Sequence, residues 1–430
     1  MTATIRQEDV VRKRRRAVIS GGFGNLLENY DNVIYTYFAA TLAKLFFPSS
    51  SDAAALLATF GVFAVGFVIR PLGALFFGHL GDRYGRRRAL IVSVVLMAIA
   101  TTAIGLLPTF AAIGVAAPIL LVLARLVQGF SVGGEWAGSA ALLVEYAPAG
   151  KRGRFGSVQQ VSTGIGFLLA AAVAAAITLF VDPADILSWG WRIPFLLGLV
   201  TGAAALWLRL GLDETPAFKE TVAEGETVAN PLVTGLRTQR AAIAKGFGFT
   251  VLWTLAYFLF LTYVPTFLTE VVGVAETTAK VSNVVALVVF VALIPVTGAL
   301  SDRVGRKPLL LTASAGFVLL SVPVLLLLNT GQTALVILGQ LIVAVLLACF
   351  SGPGPAAISE LFPTEVRYSA LSIGYNFSVM AFGGTAPFVA TFLIDKTGWN
   401  IAPALMPTAA ALITGAVVMS MRETAHKPLR

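Results

Sequence analysis

The chain has 430 residues, of which 57% are hydrophobic and only 12% charged, with a mean hydropathy of +0.84. A soluble domain is about a quarter charged, so this composition points to lipid as the solvent. The net charge of +9 does not describe a nucleic-acid binder, because the charge follows topology instead of forming a patch.

In chain order, a basic tail (1–16) precedes predicted spans at 17–43, 54–80, 89–107, 114–147, 155–181 and 192–211. A polar linker follows (212–240), carrying Pro216, Gly225, Gly235 and Asn230-Pro231. Six more spans are predicted at 241–269, 278–300, 308–328, 333–361, 368–394 and 401–421, then a tail (422–430). Arg12–Arg16 resembles the start of a signal peptide. The apolar run behind it is broken by Glu28 and Asp31 and lacks a small-residue cleavage site, so it reads as a retained first helix. Lys44, Arg192, Lys280 and Lys396 fall on one predicted side, and Arg70 and Arg125 inside spans. The remaining Lys and Arg gather in the tails, the even-numbered loops and adjoining helix ends. This positive-inside asymmetry predicts both termini in the cytoplasm. Cys349 is the only cysteine, which excludes an intramolecular disulfide.

The chain is also an internal repeat. GHLGDRYGRRR (78–88) follows the second span and GALSDRVGRKP (298–308) the eighth. Gly78, Asp82, Arg83, Gly85 and Arg86 return as Gly298, Asp302, Arg303, Gly305 and Arg306, each shifted by 220 positions. Glu145-x-x-Pro148-x-x-x-Arg152 after the fourth span returns as Glu360-x-x-Pro363-x-x-x-Arg367 after the tenth. Both repeats keep the same side, so the halves are related by an axis along the membrane normal. The expected fold is all-α, with twelve spans in two pseudo-symmetric six-helix bundles.

The duplicated G-x-L-x-D-R-x-G-R-[RK] loop resembles the signature of the major facilitator superfamily. GNLLENYD (24–31), FVIRPLG (67–73), RLVQGFSVGGEW (125–136), WGWRIPF (189–195) and LDETPAF (212–218) are similar to its metabolite:proton symporter branch, whose members carry citrate, 2-oxoglutarate, shikimate, proline or betaine. The resemblance implies proton-driven uptake of a small organic solute by alternating access. It places the protein in a bacterial inner membrane among lipids, as a functional monomer without a cofactor. His79 and His426 lack metal-ligand spacing, no phosphate-binding Gly-x-x-x-x-Gly-Lys loop is present, and no nucleophile–base cluster suggests an enzyme. A drug antiporter is disfavoured because VQQVSTGIGFLLAA in the fifth span lacks the expected proline.

Charges at bilayer depth are costly and mark function. Asp31 lies about 14 residues into the first span, roughly 21 Å along it, on one face with Glu28 and Tyr35. It resembles the helix-1 aspartate of proton-coupled sugar carriers, and Arg125 on the fourth span, near Gln128, fits the partner arginine. Asp31 and Arg125 are therefore the expected proton-coupling pair; a static bond between the two helices is the alternative. Expected solute contacts are Glu28, Tyr35, Arg70, Gln128, Glu135, Trp136, Gln159, Tyr257, Tyr375 and Asn376, with a structural pair between Arg70 and Glu28 as the alternative for those two. Expected gate residues are Asp82, Arg83, Arg86, Glu145 and Arg152 with Asp302, Arg303, Arg306, Glu360 and Arg367, locking the cytoplasmic face while the other is open. Two buried arginines favour a di- or tricarboxylate, as does the absence of the long helical tail of some osmolyte carriers. A zwitterion is the alternative. Asn32 stands where many relatives have Phe.

Overall fold

The computed structural model describes residues 22–49, 51–84, 86–133, 135–145, 147–210, 239–363, 367–427 and 429. Among them the chain is helical, with no strand. In lipid every backbone N–H and C=O must be satisfied internally, and a helix does this within one segment. Twelve rods result: α1 (22–37 and Ala39–Phe46), α2 (Asp52–Val68 and Arg70–Tyr84), α3 (Arg86–Leu106), α4 (Ala116–Val132 and Glu135–Glu145), α5 (Arg152–Phe180) and α6 (Ile193–Leu210). In the second half they are α7 (Arg240–Ala256, continuing to Val272), α8 (Glu276–Val304), α9 (Arg306–Asn329), α10 (Thr333–Ser351 and Gly354–Ser359), α11 (Arg367–Ser378 and Ala386–Thr397) and α12 (Leu405–Ser420). Ten of the described helices are long and apolar enough to cross a membrane. The other two rods are α3, whose apolar stretch is the shorter Ile91–Leu106, and α1, interrupted by a turn at Phe38.

Sequence and structure agree on where the spans lie, with local chemistry setting the ends. At the start of α2 the Ser51 hydroxyl accepts the Ala54 N–H, a side-chain cap for an otherwise orphan donor. α7 and α11 are wound as π-helix over Tyr257–Tyr263 and Val379–Gly383, segments that touch one another. The expected tail 1–16 and most of the expected linker 212–240 lie outside the described residues.

Within the first half α3 packs on α4 and α6, and α2 on α4; within the second, α8 and α9 pack on α10, and α7 and α9 on α12. The halves meet where α5 packs on α8 and α2 on α11, with α10 also packing on α5 and α11 on α4. The α5–α8 crossing is close because small residues face each other. A Cβ on Gly298 would come within 2.6 Å of the Ser157 Cβ and 2.9 Å of the Gly153 carbonyl oxygen.

Candidate functional site

The centre of the molecule is built by a second close crossing, α2 on α4. Side chains at Gly73, Gly129 or Gly133 would run into the backbone of the facing helix, at Phe130, Gly66 and Arg70–Ala74 respectively. Glycine alone allows that approach, and it brings Arg70 and Trp136 to the midline with α1 and α11. There, a cavity of about 20 Å³ is lined by Glu28, Asn29, Asn32, Arg70, Tyr375 and Asn376 among others, room for roughly one water.

The walls are cationic, carboxylic and aromatic. Arg70 is buried, with its Cζ 4.0 Å from the Phe67 ring centroid, and its Nε and Nη2 have no hydrogen-bond partner among the described residues. Trp136 on α4 stacks on Tyr375 on α11, with centroids 3.8 Å apart and planes 3° from parallel, so one half's indole covers the other half's phenol. Trp253 meets Trp136 edge-on at 5.7 Å, its indole N–H donating to the Ser351 hydroxyl at 3.0 Å. Asn376 donates to the Gly133 carbonyl at 2.9 Å, tying α11 to the break in α4.

Glu28 also lines a neighbouring cavity inside the first half, with Asp31, Ser93, Met97, Ser131 and Thr201. Asp31 is 3% exposed, and its Oδ1 has no hydrogen-bond partner among the described residues. The expected Asp31–Arg125 ion pair is not made. Arg125 donates instead to Gln128 Oε1 and sits over the rings of Tyr35 and Phe63, at 4.7 and 4.9 Å. The Gln128 amide then donates to the Asp31 backbone carbonyl at 2.9 Å and to the Thr101 hydroxyl at 2.8 Å. Gln128 thus links the Arg125 guanidinium to the backbone of Asp31, not to its carboxylate. The amide and the two aromatic faces take up part of the buried guanidinium, while its Nε has no hydrogen-bond partner among the described residues.

Of the expected solute contacts, Glu28, Arg70, Trp136, Tyr375 and Asn376 gather at the central cavity. Tyr35 and Gln128 belong to the Arg125 cluster, and Tyr35 donates its hydroxyl proton to the Thr59 carbonyl at 3.0 Å. Gln159 and Tyr257 lie on the α5–α7 seam: Tyr257 donates to Gln160 Oε1 at 2.7 Å, and Gln160 to Gln159 Oε1 at 2.5 Å. The side chain of Glu135 lies outside the described residues. Sequence reasoning missed Asn29 and Gln160; an uncharged amide carries no signal of depth or direction.

The expected gate residues meet across the two halves. Each Glu…Arg motif pairs with the other: Arg152 with Glu360 at 2.9 Å, and Arg367 with Glu145 at 2.6 Å. Asp302 accepts the backbone N–H groups of Gly153 and Arg154 at 2.8 and 2.9 Å, capping α5 from the opposite half, and also binds Arg306 at 2.8 Å. Arg306 lies 3.6 Å from Glu360, joining both motifs in one network. Arg303 is exposed. The side chains of Asp82, Arg83 and Arg86 lie outside the described residues. The other end is closed as well: Tyr37 donates to the Leu261 carbonyl and to Asn283, and Phe60 meets Tyr263 edge-on.

The family model of the Major Facilitator Superfamily matches residues 22–347 and 268–430. The chain is 37% identical over 430 residues to the proline/betaine transporter of Escherichia coli K12, covering 97% of this chain and 85% of that protein. It is 37% identical to the glycine betaine/proline/ectoine/pipecolic acid transporter OusA of Dickeya dadantii, over 97% of this chain and 85% of the relative. The ectoine/proline transporter ProP of Corynebacterium glutamicum is also 37% identical, with 97% and 86% covered. These relatives are carriers, not enzymes. The fold is that of the xylose transporter XylE from E. coli in a partially occluded inward-open conformation, with a TM-score of 0.77 at 19% identity over 96% of this chain and 99% of that one. Duplicated signature, twelve-rod fold and full-length relatives agree, and the chain belongs to the major facilitator superfamily.

Proposed function

We propose that this protein is a proton-coupled symporter that imports a small zwitterion of the proline or betaine kind by alternating access. It works as a monomer in a bacterial inner membrane with both termini cytoplasmic. The observation that carries the reading is the composition of the central cavity: one arginine with unpaired donors, one glutamate and a stacked indole–phenol pair. A guanidinium fork suits a single carboxylate. Aromatic faces and a carboxylate suit a secondary or quaternary ammonium.

The expectation of a di- or tricarboxylate gives way. It rested on two buried arginines, and Arg125 is committed to Gln128, Tyr35 and Phe63. One arginine beside a glutamate is a poor match for several negative charges. The names of the relatives at 37% identity support the same choice.

Asp31 is the proposed coupling carboxylate, with Arg125 acting on it through Gln128. It is buried, off the solute cavity and linked to that cavity by the shared wall residue Glu28. The test is uptake into proteoliposomes under an inward proton gradient, comparing labelled glycine betaine and proline with citrate and 2-oxoglutarate. Concentration of betaine or proline is expected; concentration of the dicarboxylate or citrate instead overturns the reading.

A further inference from the structure

A polar cavity outside the centre lies at the end opposite the signature loops, where α1, α7 and α8 meet the short helix Pro183–Ser188. It holds about 140 Å³, the space of several waters. Its walls carry both signs of charge, Lys44 and Lys280 with Glu270 and Glu276, and Tyr37 also lines it. Lys280 is the unusual member. It is 5% exposed on α8, its ammonium bonding Glu276 at 2.6 Å one turn away and the Thr178 hydroxyl on α5 at 2.8 Å, with the Phe38 ring centroid at 5.0 Å. Glu276 has a half-exposed side chain, and Glu270 is exposed with no ion-pair partner among the described residues.

We propose that this vestibule is a second, staging site for the zwitterion, in which Lys280 receives the solute carboxylate in exchange for Glu276 while Glu270 and Tyr37 face its cationic end. The inference rests on the zwitterion reading above. The exchange is chemically balanced, since one carboxylate replaces another on the same ammonium and no proton moves. Glu276 is the partner that yields, because it is exposed enough to be rehydrated at little cost, whereas the buried ammonium must keep an anion. The bond from Lys280 to Thr178 also holds α5 to α8 at this end, so an arriving carboxylate acts where the seam has to open.

The test follows occupancy of the vestibule by thiol labelling of the full chain in proteoliposomes, in a Cys349→Ser, Thr41→Cys background. Glycine betaine and proline serve as protecting solutes and uptake is measured in parallel. Protection is expected to slow labelling about tenfold at roughly ten times the Kd. It should persist when Arg70→Ala disables the central cavity. In Lys280→Met it should need at least about tenfold more solute, the loss of one charge-assisted bond; Lys280→Arg should keep most of it. In Glu276→Gln it should need less solute. Protection that disappears with Arg70→Ala, or is unchanged in Lys280→Met, overturns the staging site. Uptake of betaine or proline without protection overturns the staging site alone. Neither uptake nor protection overturns the zwitterion reading and this inference with it.

Discussion

Arg70 and Asp31 are both buried charges in the first half, yet the structure places them in different cavities, and their variants are expected to fail differently. Arg70 offers its Nε and Nη2 to the central cavity. Arg70→Ala removes a charge-assisted bond to the solute carboxylate, which corresponds to roughly a 10- to 100-fold loss of affinity. KM for betaine or proline should rise by that factor, and Arg70→Lys should recover part of it; an unchanged KM removes Arg70 from the solute site. Asp31 lies off that cavity, in the pocket with Ser93, Ser131 and Thr201. Asp31→Asn keeps the shape but not the titratable proton. It should abolish accumulation under a pH gradient while solute-for-solute exchange continues; a protein that still concentrates solute has its coupling group elsewhere, with Glu28 the next residue to test.

At the scale of elements, the close crossings carry the function. α5 and α8 approach through Gly153, Ser157 and Gly298, which leave no room for a side chain at 298. Gly298→Val should therefore keep the signature end from closing: solute binding persists, while uptake at saturating solute falls towards background. Full turnover in that variant would show that the crossing need not close. A different element is held from outside the membrane. The Glu423 carboxylate accepts the backbone N–H groups of Arg306 and Lys307 at the start of α9, together with those of Thr424 and Ala425. Burial pushes this carboxyl up, but the four donors outweigh it and hold it below the usual carboxylate range. A folded-state value below the unfolded one stabilises above the ordinary pKa of about 4.3, and the contribution is lost as pH falls through the lowered value. Glu423→Gln should accordingly melt slightly lower than the parent at neutral pH, with the difference shrinking below about pH 4. A gap that widens in acid would contradict the cap.

For the whole molecule, the decisive feature is that the two repeats complete each other. Arg152 from the first motif finds Glu360 of the second, and Arg367 of the second finds Glu145 of the first. Both pairs join the two halves at the signature end, and they are proposed to latch that end until it opens. The Arg152–Glu360 pair is buried and shares Glu360 with Arg306. A double-mutant cycle of Arg152→Gln and Glu360→Gln should give a coupling of about 0.5–3 kcal/mol in thermal or chemical unfolding, because each single change removes a buried partner from the other's charge. Additive effects would mean that the two residues do not meet. In both single variants turnover should fall more than solute affinity, since the latch stands apart from the residues lining the central cavity.

The helical fold and its apolar spans, together with the repeat, were legible in the sequence, because twenty-residue apolar runs, loop asymmetry and a 220-position echo are local or linear signals. Burial of Asp31, Arg70 and Arg125 was legible for the same reason: a charge inside an apolar run has few places to go. Which charges meet was not. The Glu and Arg of one motif are neighbours along the chain, but their partners are across the seam. Asp31 and Arg125 looked like partners, but Gln128 links the Arg125 guanidinium to the backbone of Asp31, not to its carboxylate. Pairing depends on where rotamers, glycine crossings and neutral amides place the atoms to within an ångström, and one-dimensional spacing holds no such coordinate. Only the tertiary structure set Arg70 on the central cavity and Arg125 away from it, and together with the names of the relatives this supports proposing a zwitterion in place of a polyanion.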